Sequence, residues 1–337
     1  MRKPDSSTVF LGVAILGSLA LVGYVISSGS NGHAQSAKRG EITLKDIPFD
    51  GERAYQMLKD VCAIGTRVSG TPGMAKQQEL LTSHFEKFGG KVSRQEFKVR
   101  HPEDGSAVTM TNLIVEWHPE KQNRVLLCAH YDTRPYPDQD PEARLRKSGV
   151  FVGANDGASG VAVLAEMAHH MAELKSNYGV DFILFDGEEL VYEQNRDPYF
   201  LGSEYFAKQY VTNPPKHKYR WGVLLDMVGD ASLELFQERN SMVWKDTRPL
   251  TTEIWKVARD LGVKEFYPRL GHDLRDDHLA LHDIAKIPTC DIIDFDYPKP
   301  GARQQYWHTT HDTPDKCSAL SLAKVGWVVL EWLKRTK

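Results

Sequence analysis

Residues 182–189 read FILFDGEE, an apolar run that ends abruptly in three acids. Consecutive apolar side chains that stop at a glycine are typical of a buried strand followed by a turn. Carboxylates at the carboxyl end of a buried strand are costly unless positive charge lies beside them. A metal ion meets that need: one of Glu188 and Glu189 can bind it while the other moves protons. The alternative is a solvated acidic turn.

The composition is that of an ordinary globular protein. The chain has 337 residues, of which 41% are hydrophobic and 26% charged, and its formal net charge is −3. This suits one large α/β domain or two small ones, and no long basic tract indicates a nucleic-acid partner. The four cysteines form no CxxC pair, which argues against a cysteine zinc site, and a disulfide between Cys290 and Cys317 stays open.

The first forty residues differ from the rest. Arg2 and Lys3 precede an uncharged run over 9–26, and a polar stretch follows through Gly40. This order predicts a secretory signal, with 34–37 as a cleavage region, or an uncleaved membrane anchor. The run just reaches membrane-spanning length, which favours the anchor. We therefore expect residues 41–337 to form a single exported domain, either membrane-anchored or secreted.

The body alternates helical and strand patterns. Helices are predicted over 54–62, 73–88, 157–174, 203–210, 251–261 and 318–334, and strands over 92–99, 108–117, 124–129, 181–185, 221–226 and 287–293. Alternating strands and helices predict a three-layer α/β fold, with a mostly parallel central sheet flanked by helices on both faces.

Polar residues recur where the predicted strands end or helices begin: His130, Asp156, Glu188, Glu189, Asp226 and His308. The loops after parallel strands converge on one crevice, where two imidazoles and three or more carboxylates suit one zinc ion, or two ions sharing a carboxylate. We expect Asp132 to accept the second imidazole proton of His130. Taken singly, Asp156 also fits a helix cap, Asp226 a surface strand end and His308 a packed loop residue.

The motifs then resemble a known family. Their order is His130-x-Asp132, GANDGASG at 153–160, DGEE at 186–189, Leu225-Asp226, Asp277-His278 and HTTHDT at 308–313. This order resembles the M28 family of zinc aminopeptidases and glutaminyl cyclases, from about residue 50 to the carboxyl terminus.

Several features resemble the glutaminyl-peptide cyclotransferase branch of that family. These are the insertion at 190–201 before Gly202-Ser203, the sequence Asp276-Asp277-His278, and Trp307 directly before His308. The chain departs from the branch at Arg275, where glutamine is usual, and in the insertion, where Gln194 or a neighbour replaces a tryptophan. Residues 156–160 read more like the general peptidase helix start.

The resemblance implies an activity and roles for its residues. Asp156, Glu189 and His308 would bind one zinc ion, with a position left open for substrate. Glu188 would transfer protons, Asp226 and Asp276 would share protons with it, and Trp307 would pack on the substrate. The expected reaction converts the amino-terminal glutamine of a peptide or protein to pyroglutamate and releases ammonia.

Two other functions fit the same residues. In a zinc aminopeptidase, His130 and Asp226 would bind a second zinc ion, Asp156 would bridge the two, and Glu188 would activate water. In a membrane-tethered binding module, the site would be degenerate and would have no turnover. The oligomeric state is not indicated by the sequence.

Overall fold

The computed structural model describes residues 41–336. The predicted signal or anchor and its polar linker, residues 1–40, lie outside that range. Within 41–336, none of the helices combines the length and apolar character that crossing a bilayer requires.

The described part of the chain contains eight α-helices, three 3-10 helices of three residues each and eight strands. The helices are α1 Gly51–Ala63, α2 Pro72–Lys87, α3 Ser159–Met171, α4 Leu201–Thr212, α5 Arg239–Val243, α6 Arg248–Leu261, α7 Asp277–Asp283 and α8 Ala319–Arg335. The strands are β1 Lys91–Arg100, β2 Ala107–Trp117, β3 Asn123–His130, β4 Gly179–Phe185, β5 Lys218–Asp226, β6 Leu235–Gln237, β7 Phe266–Leu270 and β8 Thr289–Ile293.

Six strands form one sheet in the order β1-β2-β4-β3-β5-β8. β1 and β2 pair antiparallel, β2 joins β4 antiparallel, and β4, β3, β5 and β8 run parallel to one another. The prediction of a mostly parallel sheet flanked by helices is confirmed. Because the four parallel strands point the same way, their carboxyl ends, including His130 and Asp226, meet at one edge.

Each face of the sheet packs in a separate hydrophobic core, and alternate side chains along a strand point into one core or the other. On β3, Val125 and Leu127 pack in the large cluster that includes α1, α3 and α8. Leu126 and Cys128, one residue out of phase, pack with Phe206 of α4 and other residues of the opposite layer. The period of two along a strand sends neighbouring residues to opposite faces, so both faces of β3 are buried.

The structure also contains short elements that the sequence patterns did not predict: α5, α7, β6 and β7. Each has at most seven residues, which is too short for a hydrophobic period to stand out. All four cysteines are free and buried, so Cys290 and Cys317 form no disulfide here.

Candidate active site and metal site

A cavity of about 550 Å³ opens at the carboxyl edge of the parallel strands. Its lining includes Asp156, Glu188, Glu189, Asp226, Asp276, Trp307 and His308. All the residues predicted as catalytic or substrate-binding, and three of the four predicted ligands, therefore share one cavity. The fourth, His130, is 3% exposed and contacts Asp156 and Asp226 from below.

Asp156, Glu189 and His308 form one group able to hold a metal ion. One donor atom from each lies within 4.8 Å of the others. His308 Nε2 is 2.8 Å from Glu189 Oε1 and 3.4 Å from Asp156 Oδ2, and ligands of a tetrahedral zinc ion lie about 3.3 Å apart. Asp156 Oδ2 is buried and has no hydrogen-bond partner within the described residues. This orphaned oxygen and the mixed nitrogen and oxygen donors fit zinc.

A second group shares Asp156 with the first. His130, Asp156 and Asp226 also bring one donor atom each within 4.8 Å of one another. His130 Nε2 is 3.2 Å from Asp156 Oδ1 and 3.1 Å from Asp226 Oδ1. The two oxygens of Asp156 thus face two different imidazoles, which is the arrangement that a bridging carboxylate would need.

Asp132 lies beside His130 Nδ1, as expected, but its hydrogen bonds go elsewhere. Its Oδ1 is 3.7 Å from His130 Nδ1, beyond hydrogen-bond range. Instead its carboxylate accepts hydrogen bonds from the backbone nitrogens of Glu188 at 3.2 Å and Glu189 at 2.9 Å. Asp132 therefore orients the Glu188–Glu189 turn, because β3 and β4 are adjacent parallel strands.

The three acids after β4 point to three different places. Asp186 turns away from the cavity and accepts from Ser69 Oγ at 2.6 Å and Thr111 N at 2.8 Å. Glu189 accepts from Arg134 Nη1 at 3.0 Å and from the Arg134 backbone nitrogen at 3.2 Å. Glu188 makes no side-chain hydrogen bond within 41–336 and lines the cavity. The division between a bound and a free glutamate therefore has a geometric basis.

Sequence reasoning missed three residues that support the metal group. Arg134 binds Glu189, Asp138 Oδ1 lies 3.5 Å from His308 Nδ1, and Asp312 accepts from the backbone nitrogens of Asn155 and Asp156. Asp312 lies four residues after His308, inside a quoted motif, so the motif pointed to it without giving its role. Arg134 and Asp138 had no local signal.

Burial and like charge act together on the other side of the cavity. Burial raises the pKa of the Glu188 carboxyl well above its usual range, and the neighbouring charges of Glu189 and Asp276 add to the rise. Burial likewise raises the pKa of Asp276, with Asp226 adding to it, and the pKa of Asp226 itself. No hydrogen bond joins these three carboxylates within the described residues, so they interact through their charges.

Asp276 and Asp277 separate at the start of α7. Asp276 caps the helix by accepting from Asp277 N at 2.6 Å, and it faces the cavity. Asp277 turns inward and accepts from Ser203 Oγ. Behind Asp276, His278 lies between Glu238 at 3.5 Å and Asp291 at 3.6 Å. Asp276, His278 and Asp291 form a third group of close donor atoms, which lies beneath the cavity.

Trp307 and the insertion shape the cavity wall. The Trp307 ring stacks on His308 with centroids 3.8 Å apart and meets Phe295 edge to face at 5.5 Å. The insertion contributes six residues to the lining: Gln194, Asn195, Asp197, Pro198, Tyr199 and Phe200. These residues form one wall of the cavity, and Tyr199 Oη accepts from Arg134 Nη2 at 3.1 Å. Arg134 also donates to Glu189, so it connects this wall to the metal group.

The backbone is unusual at two points of the site. Gly157 has φ +94°, and a Cβ there would lie 2.5 Å from the Asp132 carbonyl oxygen. Only glycine allows the Asp156 loop to approach β3 so closely. His308 has φ 54°, a conformation that non-glycine residues rarely adopt and that is common at functional sites.

Comparisons with known proteins identify the family of this chain. The model of peptidase family M28 matches residues 112–333. The crystal structure of Fimbriiglobus ruber glutaminyl cyclase is 43% identical with a TM-score of 0.80, covering 86% of this chain and 96% of that one. A Zn-dependent exopeptidase from Parabacteroides distasonis is 33% identical with a TM-score of 0.77, covering 85% and 98%. The Bos taurus glutaminyl-peptide cyclotransferase is 25% identical over 259 residues, 67% of each chain.

Proposed function

The chain belongs to peptidase family M28, and from that premise and the geometry above we propose that it is a zinc-dependent glutaminyl-peptide cyclotransferase. Its substrates are peptides or proteins with an amino-terminal glutamine. The observation that carries the proposal is the presence of one three-ligand metal group, a largely buried Glu188 without a side-chain hydrogen bond in the described residues, and two further acids in one walled cavity. The similarity to a bacterial glutaminyl cyclase supports it.

Asp156, Glu189 and His308 would hold the zinc ion. When bound, zinc supplies positive charge that polarises the γ-carbonyl of the substrate glutamine. Arg134 holds Glu189 through its side chain and backbone, and Asp138 lies beside the other nitrogen of His308. Such outer partners orient the ligands and set which imidazole nitrogen is free to bind.

Glu188 moves the proton. The substrate α-amine attacks the γ-carbon and forms the ring C–N bond while Glu188 accepts an amine proton. The bond to the side-chain amide nitrogen then breaks, and Glu188 returns the proton so that ammonia leaves. The raised pKa of Glu188 suits both steps, because it makes the carboxylate a stronger base for the amine proton and lets the protonated form then donate to the leaving nitrogen. The negative charges of Asp226 and Asp276 repel that of Glu188, so the three carboxylates hold at least one proton among them.

The wall restricts what can enter. Trp307 lies flat against His308, so its exposed face offers an apolar surface next to the metal group. Residues of the insertion add neutral amide and aromatic side chains. A cavity of about 550 Å³ accommodates one small amino-terminal side chain with part of the following chain.

The second group of donor atoms supports an alternative function, that of an aminopeptidase. The group His130, Asp156 and Asp226 would hold a second zinc ion, with Asp156 as the bridge. Glu188 would then activate water, and the protein would be an aminopeptidase, as the similarity to a Zn-dependent exopeptidase allows. The ion count separates the two functions: we expect one zinc per chain, and His130→Gln should retain it.

One pair of assays tests the proposal. The purified full-length protein is given a glutaminyl peptide, with ammonia release measured, and a leucyl chromogenic amide, with amine release measured. We expect ammonia with little leucine release. Efficient leucine release without ammonia would establish the aminopeptidase instead, and zinc binding without turnover of either substrate would favour a binding module.

The cellular location is also a proposal. The order of Arg2, Lys3 and the uncharged run over 9–26 supports export with a membrane anchor or a cleaved signal. A fusion of residues 1–40 to a reporter should be exported and remain with membranes. An exported soluble reporter would instead indicate cleavage, and a soluble cytoplasmic reporter would contradict both.

A further inference from the structure

Arg275 is the one arginine or lysine among the residues that line the cavity. It is exposed, and no carboxylate lies within 4.0 Å of its guanidinium in the described part of the chain. The remaining polar lining is made of acids, amides, the hydroxyl of Tyr199, the indole of Trp307 and the imidazoles of His272 and His308. An unpaired guanidinium in such a cavity is available to an anion from outside the protein.

The backbone around Arg275 directs its side chain outward. Leu274 is 8% exposed and donates its backbone nitrogen to Glu238 Oε1 at 3.3 Å. Asp276 is 5% exposed and caps α7. Because both neighbours are buried and held by hydrogen bonds, Arg275 keeps a fixed position one residue from the proposed proton-sharing group.

The nearby acids have other partners. Asp273 accepts from Asn240 Nδ2 at 2.9 Å. Asp296 lies 3.1 Å from His272 Nε2. Asp197 pairs with Arg196 at 2.7 Å. None of these carboxylates therefore neutralises Arg275, and the guanidinium keeps its full capacity to bind another carboxylate through two parallel hydrogen bonds.

We propose that Arg275 binds a carboxylate on the second residue of the substrate and so selects substrates that carry one. This inference rests on the proposed function, which places the amino-terminal glutamine beside Glu188 and Asp276. One residue further along an extended chain is a step of about 3.5 Å, within reach of an arginine side chain that starts next to Asp276. The carboxylate comes either from an Asp or Glu side chain at position two or from the free carboxyl group of a glutaminyl dipeptide.

The test compares matched substrates. Three carboxyl-amidated peptides differ only at position two, which is Glu, Gln or Lys, and a glutaminyl-alanine dipeptide is supplied as free acid and as amide. For wild type we expect kcat/KM for ammonia release to be about 10-fold higher with Glu than with Lys at position two. If Arg275 also binds a terminal carboxylate, kcat/KM for the free-acid dipeptide should exceed that for its amide by a similar factor.

Charge variants assign the preference to Arg275. Arg275→Gln should bring the Glu-to-Lys ratio close to one, and Arg275→Glu should reverse it. Arg220→Gln is the matched control, because Arg220 is exposed near the start of β5, at the opposite end from Asp226. It should keep the wild-type ratio. Salt should weaken the wild-type preference and leave the Arg275→Gln ratio unchanged.

The outcomes are distinct. Equal wild-type rates for all peptides, or an unchanged ratio in Arg275→Gln, would overturn the inference and leave the cyclotransferase intact. A preference limited to the free-acid dipeptide would support recognition of a terminal carboxylate by Arg275. No ammonia from any peptide would refute the proposed function, and the inference would fall with it.

Discussion

The cavity has two sides that use the same kinds of acid differently. On one side, which we call the ligand side, Asp156 and Glu189 face His308. On the other, the acid side, Glu188, Asp226 and Asp276 line the wall with no arginine or lysine bonded to them in the described residues. Both sides are buried, so burial alone does not distinguish them.

Cationic neighbours make the difference. Burial raises the pKa of Asp156, but hydrogen bonds from His130 and His308 bring it below its ordinary value. Burial raises the pKa of Asp138 too, yet His308 and Arg134 lower it to about 2. On the acid side His130 also lowers the pKa values of Glu188 and Asp226, but burial and the charges of neighbouring acids outweigh it. The pKa values of Glu188, Asp226 and Asp276 therefore rise. The carboxylates of the ligand side therefore stay negatively charged and can bind a cation, whereas those of the acid side tend to hold protons.

The largest expected effect comes from breaking the ligand side. Asp156→Ala, Glu189→Ala or His308→Ala should each reduce zinc content sharply and lower ammonia release to background, because an incomplete set of ligands loses most of its affinity. Zinc per chain is measured by elemental analysis of each purified variant. Glu204→Ala, on the exposed face of α4, is the control. Full zinc occupancy in all three variants would contradict the ligand assignment.

The next effect comes from removing the mobile proton from the acid side. Glu188→Gln keeps the shape of the side chain and abolishes its proton transfer. We expect zinc content to stay at the wild-type level and kcat to fall by roughly 10²–10⁴-fold. Steady-state ammonia release and zinc analysis on the same sample separate the two sides. Wild-type turnover by a zinc-loaded Glu188→Gln protein would show that Glu188 does not transfer the proton.

A smaller effect is expected at Asp276. Asp276→Asn preserves the cap of α7, since Asn also accepts a backbone hydrogen bond, but it cannot exchange a proton. We expect a loss of roughly 10–10²-fold in kcat with unchanged zinc content. The pH profile should also change, because removing the Asp276 charge lowers the pKa of Glu188. A profile identical to that of wild type would place Asp276 outside the proton-sharing group.

The smallest effect on turnover is expected at Asp294, a buried acid outside the cavity. It is 1% exposed, accepts from Glu234 N at 2.8 Å and has no partner for Oδ1 among the described residues. Burial, with some like-charge repulsion, raises its pKa to about 8. Asp294 thus tests whether burial with little else holds a proton, without any role in chemistry.

The sign of the stability effect follows from that raised pKa. Between about pH 4 and pH 8 the folded protein keeps a proton on Asp294 that the unfolded chain has lost, so wild-type stability falls as pH rises. Asp294→Asn removes this penalty and keeps the hydrogen bond from Glu234. The gain in unfolding free energy over wild type should therefore be larger at pH 8 than at pH 5.5, measured by urea unfolding with zinc present. An equal difference at both pH values would contradict the raised pKa.

Much of the site was accessible from the sequence because the topology of parallel strands is regular. His130 and Asp226 end β3 and β5, and Glu188 and Glu189 follow β4. Strand patterns locate these ends, and the rule that such ends share one edge brings the residues together. The resemblance added Asp276, which precedes a helix of only seven residues, too short for a periodic pattern to locate.

The partners of these residues were not accessible in the same way. Asp132 lies 3.7 Å from His130 Nδ1, as expected, but its hydrogen bonds come from the turn 56 and 57 residues further along. Arg134 reaches Glu189 across 55 residues, and Asp312 reaches Asp156 across 156. Such bonds depend on register between strands and on loop conformation, which local patterns do not encode.

The sequence by itself thus determined the fold class, the edge where the chemistry lies and the residue types gathered there, because hydrophobic periodicity and strand-end placement are local properties. Only the tertiary structure decided which acid keeps a charge and which keeps a proton. That choice depends on the balance at each carboxylate between burial, the charge of neighbouring acids and the guanidinium or imidazole groups that distant segments bring beside it. It also decided that Asp276 faces the cavity while Asp277 turns to Ser203, since the start of α7 orients the two neighbours in opposite directions.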